Sequence, residues 1–177
     1  MSTQPDGAAG SQPRPSTVTT SHLLRTLTVS HLDAVVAIEK ACYPFPWTRG
    51  NFIDSLAAGY EAQVLLDPQV KSPARLLGYW VAMPGVDEMH LLNITVAPEY
   101  EGRGYARFML DALIRIAQSR GDQQLWLEVR PSNHRARDLY IRYGFRQVGV
   151  RKGYYPAALG RREDALVMSY QIAGVAP

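Results

Sequence analysis

The sequence predicts a single α/β domain, a mixed sheet of about seven strands flanked by helices, and three observations carry that reading. From residue 23 onward, short apolar runs of strand character alternate with segments whose apolar residues recur at helical spacing. Glycine and proline stand at the joints, among them Pro44, Pro98, Gly121 and Gly144. Length sets the domain count: 46% of 177 residues, about 81, are apolar, enough for one sizeable core and rarely for two.

Residues 1–22 hold four Ser, four Thr, three Pro and two Gly, so 13 of 22 are loop formers. They are expected to be a disordered tail, outside a domain spanning 23–173, and they lack the basic start and apolar stretch of a secretory signal. A short strand is expected over 25–29, with Ser30 capping a helix that turns Leu32, Val35, Val36 and Ile38 inward and ends before Pro44. The 43–47 segment, Tyr-Pro-Phe-Pro-Trp, is too proline-rich for a helix or central strand, and Thr48 then caps a short helix through Phe52, Ile53 and Leu56. Segments 63–66 and 76–83, joined by a turn over 67–73, read as a hairpin. A strand over 89–96 stops before Pro98, and a long helix over 104–120 carries Phe108, Met109, Ala112, Leu113 and Ile116 on one face until Gly121. A buried strand over 125–129, a helix over 133–143 ending at Gly144, and strands over 145–150 and 165–172 complete the order.

Composition excludes several classes of function. With 20% charged and 10% aromatic residues the chain has the balance of a globular protein, not of a disulfide scaffold. No 18 apolar residues run together, and the richest stretch, 76–83, is broken by Pro84 and Gly85, so no membrane span is expected. Cys42 has no second cysteine to pair with in the chain, which suits a reducing cytoplasm, and it reads as a small core residue. Net charge is +3, and 16 of the 19 basic residues are arginines with no run longer than Arg161-Arg162, so no nucleic-acid partner is expected. His22, His31, His90 and His134 show no ligand spacing, which predicts no metal, and no Gly-x-Ser-x-Gly elbow occurs.

The most informative stretch is Val96-Ala97-Pro98-Glu99-Tyr100-Glu101-Gly102-Arg103-Gly104-Tyr105-Ala106-Arg107, where a strand ends in small residues that open a helix. Gly102 and Gly104 allow a sharp turn, the first helical N–H groups lack intrahelical partners, and the helix dipole favours an anion there. Arg103 and Arg107 add full charges. Alone, Gly-x-Gly is equally an ordinary tight turn. A dinucleotide fingerprint would want Gly or Ala where Arg107 stands, and the Gly-Lys-Ser/Thr of a triphosphate loop occurs nowhere.

This stretch resembles the pyrophosphate-binding motif of the GCN5-related N-acetyltransferases (GNAT), Gln/Arg-x-x-Gly-x-Gly/Ala. Here it reads Glu101-Gly102-Arg103-Gly104-Tyr105-Ala106, with Glu101 in the place of Gln or Arg. The likeness extends over most of residues 23–172 and towards the RimI branch, the bacterial ribosomal-protein-alanine N-acetyltransferases. It is carried by Pro44-Phe45-Pro46-Trp47, by Asn93-Ile94-Thr95-Val96, by Leu125-Trp126-Leu127-Glu128-Val129-Arg130 with Ser132-Asn133 and Leu139-Tyr140, and by Tyr154-Tyr155-Pro156 with Gly160 and Arg162-Glu163-Asp164-Ala165.

The resemblance implies a mostly antiparallel sheet, splayed near 94–96 and 125–128, and acetyl-CoA as co-substrate without a metal. It implies direct acetyl transfer to the N-terminal alanine of a ribosomal protein, by a monomer. Glu128 falls where the family's general base deprotonates the amine through water, and Tyr140 where an acid protonates the leaving thiolate. Ile94, Thr95 and Val96 match the strand that holds the acetyl and pantetheine groups, residues Gly102, Arg103, Gly104, Tyr105, Ala106 and Arg107 match the pyrophosphate cradle, and Asn133 matches a cofactor contact. Phe45, Trp47, Tyr154 and Tyr155 are candidates for the walls of a peptide groove.

Elementary chemistry favours such a substrate. Neutralising an α-ammonium of pKa 7.7 to 8.0 at pH 7 costs about 1 kcal/mol, against about 4 to 5 kcal/mol for a lysine near 10.4. A carboxylate of ordinary pKa is a weak base for that proton, so Glu128 is expected at a strand end and partly withdrawn from water. Read without the resemblance, Glu128 is more often a surface or salt-bridged charge and Tyr140 more often a core tyrosine, and Asn133 also sits where a helix N-cap is wanted. Rival functions are the same fold acting on lysine or a small amine, and a non-catalytic acyl-CoA sensor.

Overall fold

The computed structural model describes residues 24–70 and 74–172, so the expected tail over 1–22 lies outside the described residues. A short strand β1 (Leu24–Thr26) leads into two helices, α1 (Leu32–Cys42) and α2 (Arg49–Ala57). Strands β2 (Glu61–Leu66), β3 (Leu76–Pro84) and β4 (Glu88–Val96) follow, then the long helix α3 (Tyr105–Arg120). Strand β5 (Gln124–Val129), helix α4 (His134–Tyr143) and strands β6 (Arg146–Pro156) and β7 (Arg162–Gln171) complete the domain. The sheet has seven strands in the order β1-β2-β3-β4-β5-β7-β6. Its pairs are antiparallel except β4 with β5, as expected for a mostly antiparallel mixed sheet.

Strand alternation divides the core between the two faces. Trp80 and Ala82 of β3, Met89 and Leu91 of β4, and Leu125, Leu127 and Val129 of β5 face α3 and α4 in one cluster with Met109, Leu110, Leu113 and Tyr140. Tyr79 and Val81 point the other way, into a cluster with Leu32 and Val35 of α1 and Phe52 of α2.

The chain enters α1 differently from expectation. The first strand ends at Thr26, and a 3-10 turn (Val29–His31) replaces the last strand residues and the Ser30 cap. Thr28 N–H donates to His31 Nδ1 (3.1 Å) and the Thr28 and Ser30 hydroxyls bond each other (2.8 Å), so local side-chain bonds compete with the ladder. Thr48 does cap α2, its Oγ1 accepting from Asn51 N–H at 3.2 Å, while Ile53 of that helix is exposed rather than inward.

The sheet opens at a defined point. Between β3 and β4 the register slips from Val81 with Asn93 to Ala82 with Leu91, so Leu92 is a bulge residue. Pairing between β4 and β5 runs only from Glu88 with Gln124 to Leu91 with Leu127. Residues 125–127 are therefore paired, and the splay begins beyond them, at 92 and 128, because the bulge bends β4 away from its neighbour. Opposite Val96, Gly78 has no room for a side chain: a Cβ there would lie 2.6 Å from the Thr95 carbonyl oxygen and 3.0 Å from Met109 Cε. Gly78→Ala is expected to cost about 1 to 3 kcal/mol, measured by chemical denaturation, because the clash is with backbone that cannot rotate aside.

Candidate active site

Where β4 and β5 part, a cleft of about 980 Å³ opens between the end of β4, the start of α3, the first turns of α4 and the loop after α1. Its floor is Ile94, Thr95 and Val96. Ala97 N–H bonds Leu77 C=O of β3 at 2.9 Å, so alternation turns the Val96 N–H away from β3 and into the gap. Such a strand edge can pair with the amides of an extended ligand and can support a developing oxyanion.

At one end of the cleft lie Gly102, Gly104, Tyr105, Ala106 and Arg107. Gly102 and Gly104 have φ of +77° and +84°, a left-handed backbone that favours glycine. A Cβ at Gly104 would meet nothing within 4 Å, so backbone conformation selects glycine there and the space beside it stays open. The first backbone bond of α3 runs from Phe108 N–H to Gly104 C=O (3.0 Å), which leaves the N–H groups of Tyr105, Ala106 and Arg107 ahead of the ladder and available to a phosphate. Arg103 does not line the cleft; its guanidinium donates to Glu99 C=O (3.1 Å) and lies over the Tyr100 ring.

Tyr140 lines the cleft from α4 and is buried, packed on Phe145 at 5.5 Å. Burial foremost, with the nearby Tyr43 and Tyr155 phenols, pushes its pKa above the ordinary tyrosine value, so it stays a proton donor. Asn133 also lines the cleft, and its Oδ1 accepts from Ala136 N–H (3.1 Å), so it is the N-cap of α4 as well.

Glu128 sits on the other face of β5, opposite Leu127, and does not line the cleft. Its side chain is 16% exposed, with Oε1 3.3 Å from Arg151 Nε. Tyr155 stands electrostatically between the two: the Glu128 charge adds to the burial that raises the Tyr155 phenol, and Tyr155 in turn acts on Tyr140.

The candidate groove residues separate. Phe45 is an exposed lining residue, and the Arg130 guanidinium bridges its ring and that of Tyr155, at 5.8 and 4.3 Å from the centroids. Tyr154 packs edge-on against Tyr155 at 4.9 Å, outside the cleft. Trp47 turns inward instead, against Phe52 at 5.3 Å. Cys42 is a cleft residue rather than a core one; its thiol donates to Val96 C=O (3.7 Å) and is pushed up to about 11 by burial first and by the Glu101 and Glu39 charges. It therefore remains a thiol at neutral pH.

Behind the floor lies a polar network that sequence reading missed. Glu39 is 2% exposed and accepts from Trp47 N–H (2.9 Å), from the Tyr79 hydroxyl, and from Asn93 Nδ2 at both carboxylate oxygens (3.2 and 3.3 Å). Asn93 Oδ1 accepts from the Thr95 hydroxyl (2.9 Å), which leaves Thr95 Oγ1 to accept from Tyr43 OH (2.9 Å). One buried carboxylate thus ties α1, the proline loop, β3 and the floor of the cleft together. Position 39 shares the inward stripe of Leu32 and Val35, the one signal that could have found it.

On the opposite wall Glu163 accepts from Ser132 N–H (2.9 Å) and from Arg130 (3.2 Å). Burial would raise its carboxyl, and these bonds more than offset that, leaving it below the ordinary carboxylate value.

The sequence profile of the acetyltransferase (GNAT) family matches residues 32–145. The chain belongs to this family. It is similar to the [ribosomal protein bS18]-alanine N-acetyltransferase of Haemophilus ducreyi, 34% identical over 147 residues, 83% of this chain and 98% of the relative. The crystal structure of the ribosomal-protein-S18-alanine N-acetyltransferase from Escherichia coli superposes with a TM-score of 0.75 at 33% identity, covering 87% of this chain and 95% of that one. A phosphinothricin acetyltransferase from Sinorhizobium meliloti, solved in complex with AcCoA, shares the fold at a TM-score of 0.69 and 20% identity, covering 87% and 90% of the two chains. As a GNAT-family protein the chain is an acyltransferase, and the parted strands and glycine turn are the family's fold in this sequence. No described helix is long and apolar enough to cross a membrane.

Proposed function

We propose that the protein transfers an acetyl group from acetyl-CoA directly to the α-amine of an N-terminal alanine on a ribosomal protein, of the S18 kind. The observation that carries this is the one-third identity to relatives named for that reaction across nearly their whole length. The cleft suits it. Gly102, Gly104 and the N–H groups of Tyr105, Ala106 and Arg107 would hold the pyrophosphate, and the Ile94–Val96 edge would hold the pantetheine and the acetyl carbonyl.

In this reading Tyr140 protonates the departing thiolate. Glu128, behind the cleft wall, takes the amine proton through water, with Arg151 holding its carboxylate in place. Asn133 orients the start of α4 beside the cofactor, and Phe45, Arg130 and Tyr155 flank the entry of the peptide. The reaction belongs in the cytoplasm, where ribosomal proteins are made.

Incubation with acetyl-CoA and short peptides beginning Ala-Arg, beside a peptide with a blocked N-terminus and a free lysine, tests the substrate. Mass analysis is expected to find acetyl on the free α-amine alone; acetyl-lysine would move the substrate and keep the fold. Glu128→Gln is expected to lower kcat/KM by about a hundredfold at pH 7. The residual rate should climb as pH passes 7.7 to 8.0, because the substrate then loses its proton without help. A Glu128→Gln profile parallel to wild type would remove Glu128 from the proton path.

A further inference from the structure

The phosphate end of the cleft carries an unexpected carboxylate. Glu101 lies at the mouth of the glycine turn, where an incoming phosphate would meet like charge. The structure neutralises it from another element: Arg135, in the first turn of α4, places its Nη1 on Glu101 Oε2, and its Nη2 lies 3.9 Å from where a Gly102 Cβ would stand. Both side chains line the cleft and are open to solvent, at 61% exposure for Arg135 and 41% for Glu101.

Neighbouring arginines are differently engaged. Arg103 is folded onto Glu99 C=O and Tyr100, and Arg107 lies over the Tyr143 ring at 5.4 Å. Arg142 lines the cleft from α4, two turns beyond Arg135.

We propose that Glu101 and Arg135 form a latch on the phosphate site: Glu101 holds the Arg135 guanidinium beside Gly102 in the free protein, and Arg135 exchanges its charge-assisted hydrogen bonds onto a phosphate of the coenzyme. The pair rests on the reading of this cleft as the acetyl-CoA site. A guanidinium presents its donors in a planar fork that fits carboxylate and phosphate alike, so exchange needs only a small rotation of an exposed side chain. The ligand chemistry is a phosphate ester, either the pyrophosphate or the ribose 3′-phosphate of CoA.

The latch makes a prediction that a purely structural ion pair does not: its two ends have opposite effects. Calorimetric titration of the full chain with CoA is expected to give a Kd about fivefold weaker for Arg135→Gln, the scale of one exposed charge pair. For Glu101→Gln it should be about two- to fivefold tighter, since the competitor and its repulsion are gone. Acetyl-pantetheine, which has no nucleotide, should bind both variants as it binds wild type.

Dephospho-CoA locates the contact. An Arg135→Gln effect that survives with it places Arg135 on the pyrophosphate, and one that vanishes places it on the 3′-phosphate. Arg146→Gln, on β6 away from the cleft, controls for net charge; an equal loss there would overturn the latch. So would an unchanged CoA affinity in Arg135→Gln, or weakening by both substitutions. If wild type itself does not bind CoA, the cofactor reading falls first and the latch with it.

Discussion

Tyr140→Phe is expected to lower kcat by about a hundredfold or more while leaving the Kd for acetyl-CoA within about twofold, the pattern of a lost general acid. The substitution removes one oxygen from a buried ring. That hydroxyl makes no hydrogen bond among the described residues, and the ring keeps its contact with Phe145 at 5.5 Å, so no structural partner is stranded. A CoA thiol resembles a cysteine near 8.5 and a tyrosine lies near 10, so proton transfer to the thiolate runs uphill by about 2 kcal/mol before burial is considered. Burial disfavours the phenolate further, so the proton should move as the C–S bond breaks.

The sign of the pH dependence follows from the raised pKa. Because the folded protein holds this proton above the ordinary tyrosine range, Tyr140 stays in its donor form up to at least pH 10. Any alkaline limb of kcat below pH 10 therefore belongs to another group and should persist in Tyr140→Phe. Steady-state kinetics with calorimetry checks both points; a tenfold loss of cofactor affinity with kcat unchanged would make Tyr140 a wall of the cleft instead.

Glu39→Ala is expected to remove about 3 to 5 kcal/mol of stability, an effect as large as any single substitution in the buried core. The carboxylate satisfies the Trp47 N–H, the Tyr79 hydroxyl and the Asn93 amide; its removal leaves the buried Tyr79 hydroxyl unpaired at about 1 to 3 kcal/mol, and the half-buried Trp47 and Asn93 donors add to that. For a chain of this size that corresponds to a fall in Tm of roughly 10 °C. Glu39→Gln should lie between, because one oxygen still accepts while the new NH₂ faces donors. Denaturant titrations of both variants decide it, and a loss below 1 kcal/mol for Glu39→Ala would mean that water replaces the carboxylate. Since Asn93 and Thr95 hang from the same network, the variant that survives should also bind acetyl-CoA more weakly.

Much of this was legible before any coordinates. The order of strands and helices, the α3 and α4 boundaries at Gly121 and Gly144, and the glycine turn at 102–104 are local matters, governed by periodicity within a few residues and by backbone freedom at single positions. The entry to α1 departs from the expected strand and Ser30 cap because Thr28, Ser30 and His31 bond one another, a choice among near-equal local bonds that spacing does not rank. The splay begins at 92 on β4, two residues before the expected 94, and at 128 on β5, three after the expected 125, because a bulge exists only in relation to a partner strand and nothing within β4 marks Leu92 as the extra residue.

By itself the sequence determined an α/β domain with a glycine turn suited to an anion and the family its motifs resemble, because each is written in residues close together along the chain; the candidate acid and base came only with that resemblance. Period-two alternation even set Glu128 against Leu127 on opposite faces of β5. Only the tertiary structure decided that Tyr140 enters the cleft while Glu128 stands behind it, that Trp47 leaves the candidate groove for the core, and that Glu39 anchors the floor. It alone also brought Arg135 to Glu101 across 34 residues of sequence. These are meetings between segments distant in the chain, and they are set by how β5 and α4 cross over and by which faces pack, a geometry that no short stretch of sequence contains.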